Sequence, residues 1–163
     1  MQRLFLSIFF LFCLSPYSFA NVSVCFTPPS KCGNFIVEQI KEANQSIYIQ
    51  AYGFTSKKII DALIEAKNRG VEIEIILDRS NFHKKKQNVI KFLESNQIKI
   101  YQDKVAGIAH NKVMIIDNTT VITGSFNFTD NADKKNAENV IVLHDSNLAQ
   151  QYYDNWKKRN NKE

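Results

Sequence analysis

A run of bulky apolar residues, Val113-Met114-Ile115-Ile116, constrains the fold of this chain more than any other feature. Side chains of a β-strand alternate between the two faces of its sheet, so a strand that is apolar at every position needs apolar cover on both faces. Helices packed on each side of a sheet supply that cover. The sequence therefore predicts an α/β fold, with a mixed central sheet between two layers of helices.

The other elements alternate in a way that agrees with this fold. Phe35, Ile36 and Ile40 lie at helical spacing and predict a helix over residues 35–44, followed by a strand of β-forming residues over 46–52. Ser56 is the expected N-cap of a helix over 59–68, and Gly70 ends that helix before an apolar strand over 71–77. The remaining predicted elements are a helix at 89–93, strands at 98–101, 113–116, 120–122 and 140–143, and a closing helix at 148–156.

Residues 1–20 resemble a secretion signal. Arg3 gives a short positive start, residues 4–14 are apolar, and Ser18-Phe19-Ala20 places small residues before a cleavage point. Cleavage after Ala20 would leave one domain, residues 21–163, in the periplasm or outside the cell. The alternative is an uncleaved anchor, but about eleven apolar residues fall short of the roughly 20 that span a bilayer. We therefore expect no stable membrane insertion after cleavage.

Two cysteines remain after such a cleavage, Cys25 and Cys32. In an oxidising compartment they predict a disulfide, which would hold an otherwise loose N-terminal arm. A zinc site is not expected, because it requires four ligands and no histidine lies near this pair in the sequence.

The chain is basic, with a formal net charge of +5 that becomes +4 once Arg3, the single charged residue of the signal, is removed. Its basic runs are either solvated surface or contacts to a polyanion: Lys84-Lys85-Lys86, Lys134-Lys135 and Lys157-Lys158-Arg159. Charge alone does not separate nucleic acid from anionic lipid, because both present phosphates.

Polar residues that suit attack on a phosphodiester are concentrated between residues 110 and 127. His110 and Lys112 should point the same way along a strand, and Ser125 and Asn127 should share one face of a second strand. An imidazole, an ammonium, an amide and a hydroxyl could then surround one anion. A second His-x-Lys begins at His83, but no Asp and no Gly-Ser-x-Asn follow it at the same spacing, so we expect a solvated basic turn there.

The pattern H-x-K-x4-D-x6-G-S-x-N resembles the signature of the phospholipase D superfamily. Residues 46–54, 67–71 and 136–140 are also similar to its small bacterial branch with one motif, which includes secreted nucleases and proteins named phospholipase D. The likeness covers essentially all of the chain after the signal. It implies the α/β/α sandwich of that superfamily and a reaction without a metal or other cofactor.

The resemblance also implies roles for the motif residues. His110 would attack phosphorus, while Lys112 and Asn127 would hold the phosphoryl oxygens. Ser125 and the backbone at Gly124 would add hydrogen bonds.

Two acidic residues also match the family pattern. Glu138 matches an acid that orients the catalytic histidine through its other ring nitrogen, although it could instead be a surface acid in a polar loop. Asp117 belongs to the signature but should lie on the opposite strand face or past the strand end, so its expected role is structural support.

One motif in the chain implies a homodimer in which two subunits meet across a two-fold axis and share one active site. One His110 would form a phosphohistidine, and the other would protonate the leaving oxygen and then activate water.

The leading expectation is a secreted, metal-independent phosphodiesterase, an endonuclease with little sequence preference. A phospholipase D that releases lipid head groups is the first alternative. The second is a nucleic-acid-binding protein without catalysis, which His110 disfavours because phosphate binding alone has no need of an imidazole. Trp156 and the phenylalanines are expected in the core, including Phe54 and Phe128, which with Tyr52 flank strand ends.

Overall fold

Seven strands form one sheet in the part of the chain that the computed structural model describes, residues 21–84 and 87–160. Their bounds are β1 Asn21–Thr27, β2 Ser46–Ala51, β3 Glu72–Leu77, β4 Lys99–Gln102, β5 Lys112–Ile116, β6 Thr120–Gly124 and β7 Glu138–His144. The α-helices of this part are α1 Cys32–Glu42, α2 Lys57–Asn68, α3 Gln87–Ser95, α4 Asp130–Lys134 and α5 Ser146–Arg159. The strand order is β1-β7-β6-β5-β2-β3-β4.

The sheet is mixed. β2 pairs in parallel with β3 and antiparallel with β5, β3 pairs in parallel with β4, and the remaining neighbours are antiparallel. Helices α1 and α2 cover one face, where Ile36 and Leu63 are completely buried. Helix α5 covers part of the other face, and its Trp156 donates from the indole N–H to the carbonyl oxygen of Ile49 at 3.0 Å. The predicted α/β sandwich is confirmed.

The apolar run that predicted this fold is the central strand β5, and all of its residues are buried. Met114 packs with the core under α1 and α2, whereas Ile115 packs with the core under α5. Because both faces are covered, burial of apolar area stabilises this strand from both sides.

The N-terminal segment differs from the expected loose arm. Residues Asn21–Thr27 form β1, which pairs antiparallel with β7 along its whole length. A disulfide joins Cys25 to Cys32 across a Cα–Cα distance of 5.7 Å. The missed signal was the alternation Val22, Val24, Phe26, which has the period of a strand.

The predicted signal, residues 1–20, lies outside the described residues, so export stays a prediction. The lysines at 85–86 also lie outside them. Among the helices of the described part, none has the length and apolar character needed to cross a membrane.

Candidate active site

The motif residues meet at one end of the sheet because of the strand directions. The end of β2 lies beside the start of β5, where Ala51 is opposite Lys112. The end of β6 lies beside the start of β7, where Gly124 is opposite Val140. His110, Asn127 and Glu138 therefore all emerge from the same end of the sheet.

His110 precedes β5, and its backbone is held on both sides. The N–H of Ala109 donates to Oδ2 of Asp78 at 2.8 Å, and the carbonyl of Asn111 accepts from the N–H of Tyr52 at 2.9 Å. The His110 side chain is exposed, and its ring centroid lies 4.6 Å from that of Tyr52. The imidazole is thus open to solvent on a fixed backbone.

Lys112 is the first residue of β5 and is buried. Its Nζ donates to the carbonyl oxygen of His110 at 2.7 Å and lies 5.4 Å from the ring centroid of Tyr52. Burial lowers the pKa of Lys112, and the negative charge of Glu138 opposes that shift. A partly desolvated cation attracts a phosphate more strongly than one in bulk water does.

Ser125 and Asn127 do not lie on a strand, which corrects the expectation, because β6 ends at Gly124. The segment after it is nevertheless held, since Phe126 and Phe128 are buried in the core and Phe128 bridges to Phe54. The alternation of polar and buried residues therefore persists without a ladder of hydrogen bonds.

Asn127 has unused hydrogen-bonding capacity. Its Oδ1 is buried without a hydrogen-bond partner within the described chain, close to Gly53. The other end of the same amide is an NH₂ group, which is a hydrogen-bond donor. A phosphoryl oxygen would be a suitable partner for that donor.

Gly124 is required by a close backbone approach. Its φ is +145°, and a Cβ at this position would lie 2.3 Å from the carbonyl oxygen of Asn139. The next N–H, that of Ser125, donates to the same carbonyl at 3.2 Å. Because glycine has no side chain, the backbone at Gly124 and Ser125 can pack directly against β7.

Glu138 contacts different partners from those expected. One carboxylate oxygen accepts from the hydroxyl of Ser125 at 2.6 Å, and the other accepts from the amide of Asn136 at 2.8 Å. In the described part of the chain Glu138 forms no hydrogen bond with His110, so here it positions Ser125 instead of the imidazole. Glu138 is also half-buried and bound on both oxygens, so it is not the solvated surface acid of the alternative interpretation.

Asp117 lies past the far end of β5, away from His110. Its carboxylate accepts from the backbone N–H groups of Asn44, Gln45 and Ser46 at 2.9, 2.8 and 2.9 Å. These hydrogen bonds connect the turn between α1 and β2 to the end of β5. Asp117 therefore supports the fold and does not contact the site around His110.

Two residues that support the site were missed by sequence reasoning, Asp78 and Asn81. Asp78 directly follows β3 and is buried; its carboxylate accepts from the N–H groups of Ser80 and Ala109. Burial raises the pKa of Asp78, but these hydrogen bonds and the nearby Arg79 bring it below its ordinary value. A polar residue at the end of a buried strand was the available signal. Asn81 donates to the carbonyl of Tyr52 at 2.7 Å and had no comparable signal.

His83 is exposed, as a solvated turn requires. No group of three or more His, Cys, Asp or Glu residues in ranges 21–84 and 87–160 has the arrangement of a metal site.

Comparisons with known proteins agree with this geometry. The family model described as cardiolipin synthase, PLD-like domain, matches residues 36–159. The chain is 56% identical over 145 residues to a phospholipase D of Rickettsia prowazekii. This alignment covers 88% of this chain and 69% of that protein. It is 34% identical over 129 residues to a mitochondrial cardiolipin hydrolase of Chlamydomonas reinhardtii, over 77% of this chain and 57% of that protein.

Among solved structures, the phospholipase D family member Nuc from Salmonella typhimurium matches with a TM-score of 0.83 at 36% identity, over 87% of this chain and 95% of that chain. NucT from Helicobacter pylori matches with a TM-score of 0.79 at 27% identity, over 86% of this chain and 95% of that chain. The family match contains the whole segment from His110 to Glu138. The chain therefore belongs to the phospholipase D superfamily and is one of its phosphodiesterases.

Proposed function

We propose that this phosphodiesterase is a nuclease that cleaves nucleic acid with little sequence preference. The observation that carries the proposal is the openness of the site, where His110, Asn111 and Ser125 are all exposed at the end of the sheet. A polymer has to extend on both sides of the scissile phosphate, so an open site suits it. The formal net charge, +5 for the whole chain and +4 without Arg3, also favours encounter with a polyanion.

The chemistry follows from the side chains at the site. The imidazole of His110 attacks phosphorus, so that a P–N bond forms as the P–O bond to the leaving alkoxide breaks, and a second imidazole gives that alkoxide a proton. Water then attacks the phosphohistidine, loses its proton to the second imidazole and releases His110. Lys112 and Asn127 stabilise the charge on the non-bridging oxygens throughout.

The second imidazole is proposed to come from a second copy of the chain. The sequence has three histidines, at positions 83, 110 and 144. His144 pairs with Thr120 at the far end of the sheet, and His83 is an exposed turn residue. Two copies related by a two-fold axis would place one His110 beside the other.

β1 offers a surface for this contact. Val22, Val24 and Phe26 are 55%, 52% and 58% exposed, an unusual row of apolar side chains on one strand. The next residue, Thr27, pairs with Glu138, so the row ends beside the site. Burial of this row against the same row of a second copy would join the two chains at the edge of the sheet near Glu138.

Export is proposed as well. The signal-like residues 1–20 support it, and the Cys25–Cys32 disulfide suits an oxidising compartment.

A phospholipase D that releases lipid head groups is the second candidate. Ile108 favours it, because this side chain is 59% exposed only two residues before His110 and could contact a lipid surface. The names of the rickettsial relatives and of the cardiolipin hydrolase also point in that direction. The reaction at phosphorus would be the same.

A substrate panel separates the two candidates. Purified protein is incubated in EDTA with plasmid DNA, with RNA, and with vesicles of phosphatidylcholine or cardiolipin, and a His110→Ala preparation serves as the blank. The nuclease proposal expects cleavage of DNA or RNA that the blank lacks. Release of head groups with intact nucleic acid would favour the phospholipase. Activity that disappears in EDTA and returns with Mg²⁺ would contradict the metal-independent mechanism.

A further inference from the structure

A cavity of about 290 Å³ lies near Glu138, between the loop that follows β1 and the segment that follows α4. Its lining residues are Thr27, Pro28, Pro29, Ser30, Lys31, Asp133, Lys134, Lys135 and Asn136. Two of them connect it to the site: Asn136 donates to Glu138 at 2.8 Å, and Thr27 pairs with Glu138 across the β1–β7 ladder. The cavity therefore borders the carboxylate that positions Ser125.

The charge of the cavity is positive. Its one carboxylate, Asp133, is already bound by Nζ of Lys58 at 2.7 Å and by the N–H of Gly33 at 2.8 Å. Lys31 and Lys135 are both exposed, and neither forms an ion pair with another described residue. These two ammonium groups are available to an anionic ligand.

The walls of the cavity are held in place before any ligand arrives. The Cys25–Cys32 disulfide closes the loop that carries Lys31. On the other wall, the N–H of Lys135 donates to the carbonyl oxygen of Asn131 at 2.9 Å, and the side chain of Thr129 caps the start of α4. Because the backbones are fixed, binding an anion orders only the two lysine side chains.

We propose that this cavity binds a second phosphate of the nucleic-acid strand, at some distance along the strand from the phosphate cleaved at His110. The inference rests on the proposed nuclease function and extends it, because it assigns a binding site for substrate beyond the scissile bond. Lysines suit a phosphate as point charges, and the lining has no large aliphatic or aromatic side chain that would favour an acyl chain. A substrate with a single phosphate gains nothing from this site, whereas a strand with several does.

The test removes the two free charges and varies the substrate. The variant Lys31→Gln/Lys135→Gln is compared with Lys41→Gln/Lys91→Gln, which removes the same charge from exposed positions on α1 and α3. Each protein is assayed with a single-stranded oligonucleotide and with bis-nitrophenyl phosphate, a small diester that has one phosphate. The salt dependence of kcat/KM is measured for the oligonucleotide.

The Lys31/Lys135 variant should raise KM for the oligonucleotide by about tenfold, as expected for loss of a charge-assisted contact. The slope of log kcat/KM against log salt should become shallower by about 0.7, the value for one neutralised phosphate on a single strand. Turnover of the small diester should match that of the wild type, and the Lys41/Lys91 variant should change neither substrate.

Equal loss on the oligonucleotide and the small diester would overturn the proposal, since the lysines would then affect the fold or the catalysis itself. Equal behaviour of the two double variants on the oligonucleotide would also overturn it. A wild-type protein that turns over the small diester and phospholipid but no nucleic acid would overturn the proposed nuclease function, and this subsite with it. That result is distinct because it appears before any lysine is changed.

Discussion

The ring of Tyr52 lies against the ring of His110, with centroids 4.6 Å apart and planes inclined at 59°. The same ring lies 5.4 Å from Nζ of Lys112. The face of an aromatic ring attracts cations, and ring contact restricts the rotamers of the histidine. Tyr52 is therefore a positioning residue for both His110, the proposed nucleophile, and Lys112.

Replacing Tyr52 by leucine should lower kcat by about 100-fold with little change in KM, because a misplaced imidazole loses alignment for attack. Tyr52→Phe should stay close to wild type, since the described residues supply no hydrogen bond to the Tyr52 hydroxyl and the ring alone makes the contact. Steady-state kinetics with a small phosphodiester measures both variants. If Tyr52→Phe were as slow as Tyr52→Leu, the hydroxyl rather than the ring would be the important group.

The carboxylate of Asp78 should make the free energy of unfolding depend on pH. Its pKa lies below the ordinary value in the folded chain, so the ionised carboxylate stabilises the fold above the unfolded pKa of 3.8, and this contribution is lost as pH falls through the lower folded value. Asp78→Asn should therefore reduce the free energy of unfolding at pH 7 by about 1–3 kcal/mol, with a smaller difference in strong acid.

Urea unfolding at pH 7 and in strong acid measures this difference. Asp61→Asn is the matched control, because Asp61 is a half-exposed partner of Lys57 on α2 and such pairs contribute little. The same loss in Asp78→Asn at both pH values would show that the charge of Asp78 is irrelevant.

Gly124→Ala should destabilise the protein by about 2 kcal/mol or more, since the new Cβ would meet the Asn139 carbonyl and the backbone φ is unfavourable for alanine. Gly70→Ala separates the two causes: Gly70 also has a positive φ, of +96°, but its Cβ would meet nothing within 4 Å. Thermal unfolding of both variants gives the comparison. Equal losses would mean that the close approach at Gly124 is relaxed at no cost.

Subunit mixing tests the shared site. An equal random mixture of wild type and inactive His110→Ala should retain about a quarter of full activity, because only dimers with two intact imidazoles turn over. Activity in proportion to the wild-type fraction would mean that each chain works alone.

The contact surface has its own test. Phe26→Asp should give an inactive monomer that stays folded, seen by sedimentation and circular dichroism, because a charge would then lie in the row buried between copies. Phe92→Asp on α3 is the control, since Phe92 is 50% exposed at a site away from β1. A dimeric, active Phe26→Asp protein would place the interface elsewhere.

Local patterns in the sequence predicted much of this protein. The apolar run of β5 required cover on both faces, helical spacing located α1, Ser56 and Gly70 marked the ends of α2, and the segment from His110 to Asn127 identified the chemistry. These features depend on residues close together along the chain, where the period of burial is visible directly.

Contacts between distant segments were decided only by the tertiary structure. Which strands are neighbours determines that Tyr52 meets His110, that Asp78 receives the N–H of Ala109, and that Glu138 reaches Ser125. The tertiary structure likewise decided the partner of β1, which pairs with the edge of β7. Periodicity shows which residues are buried, but a hydrogen-bond or ring partner depends on the order of strands in the sheet, which no local pattern contains.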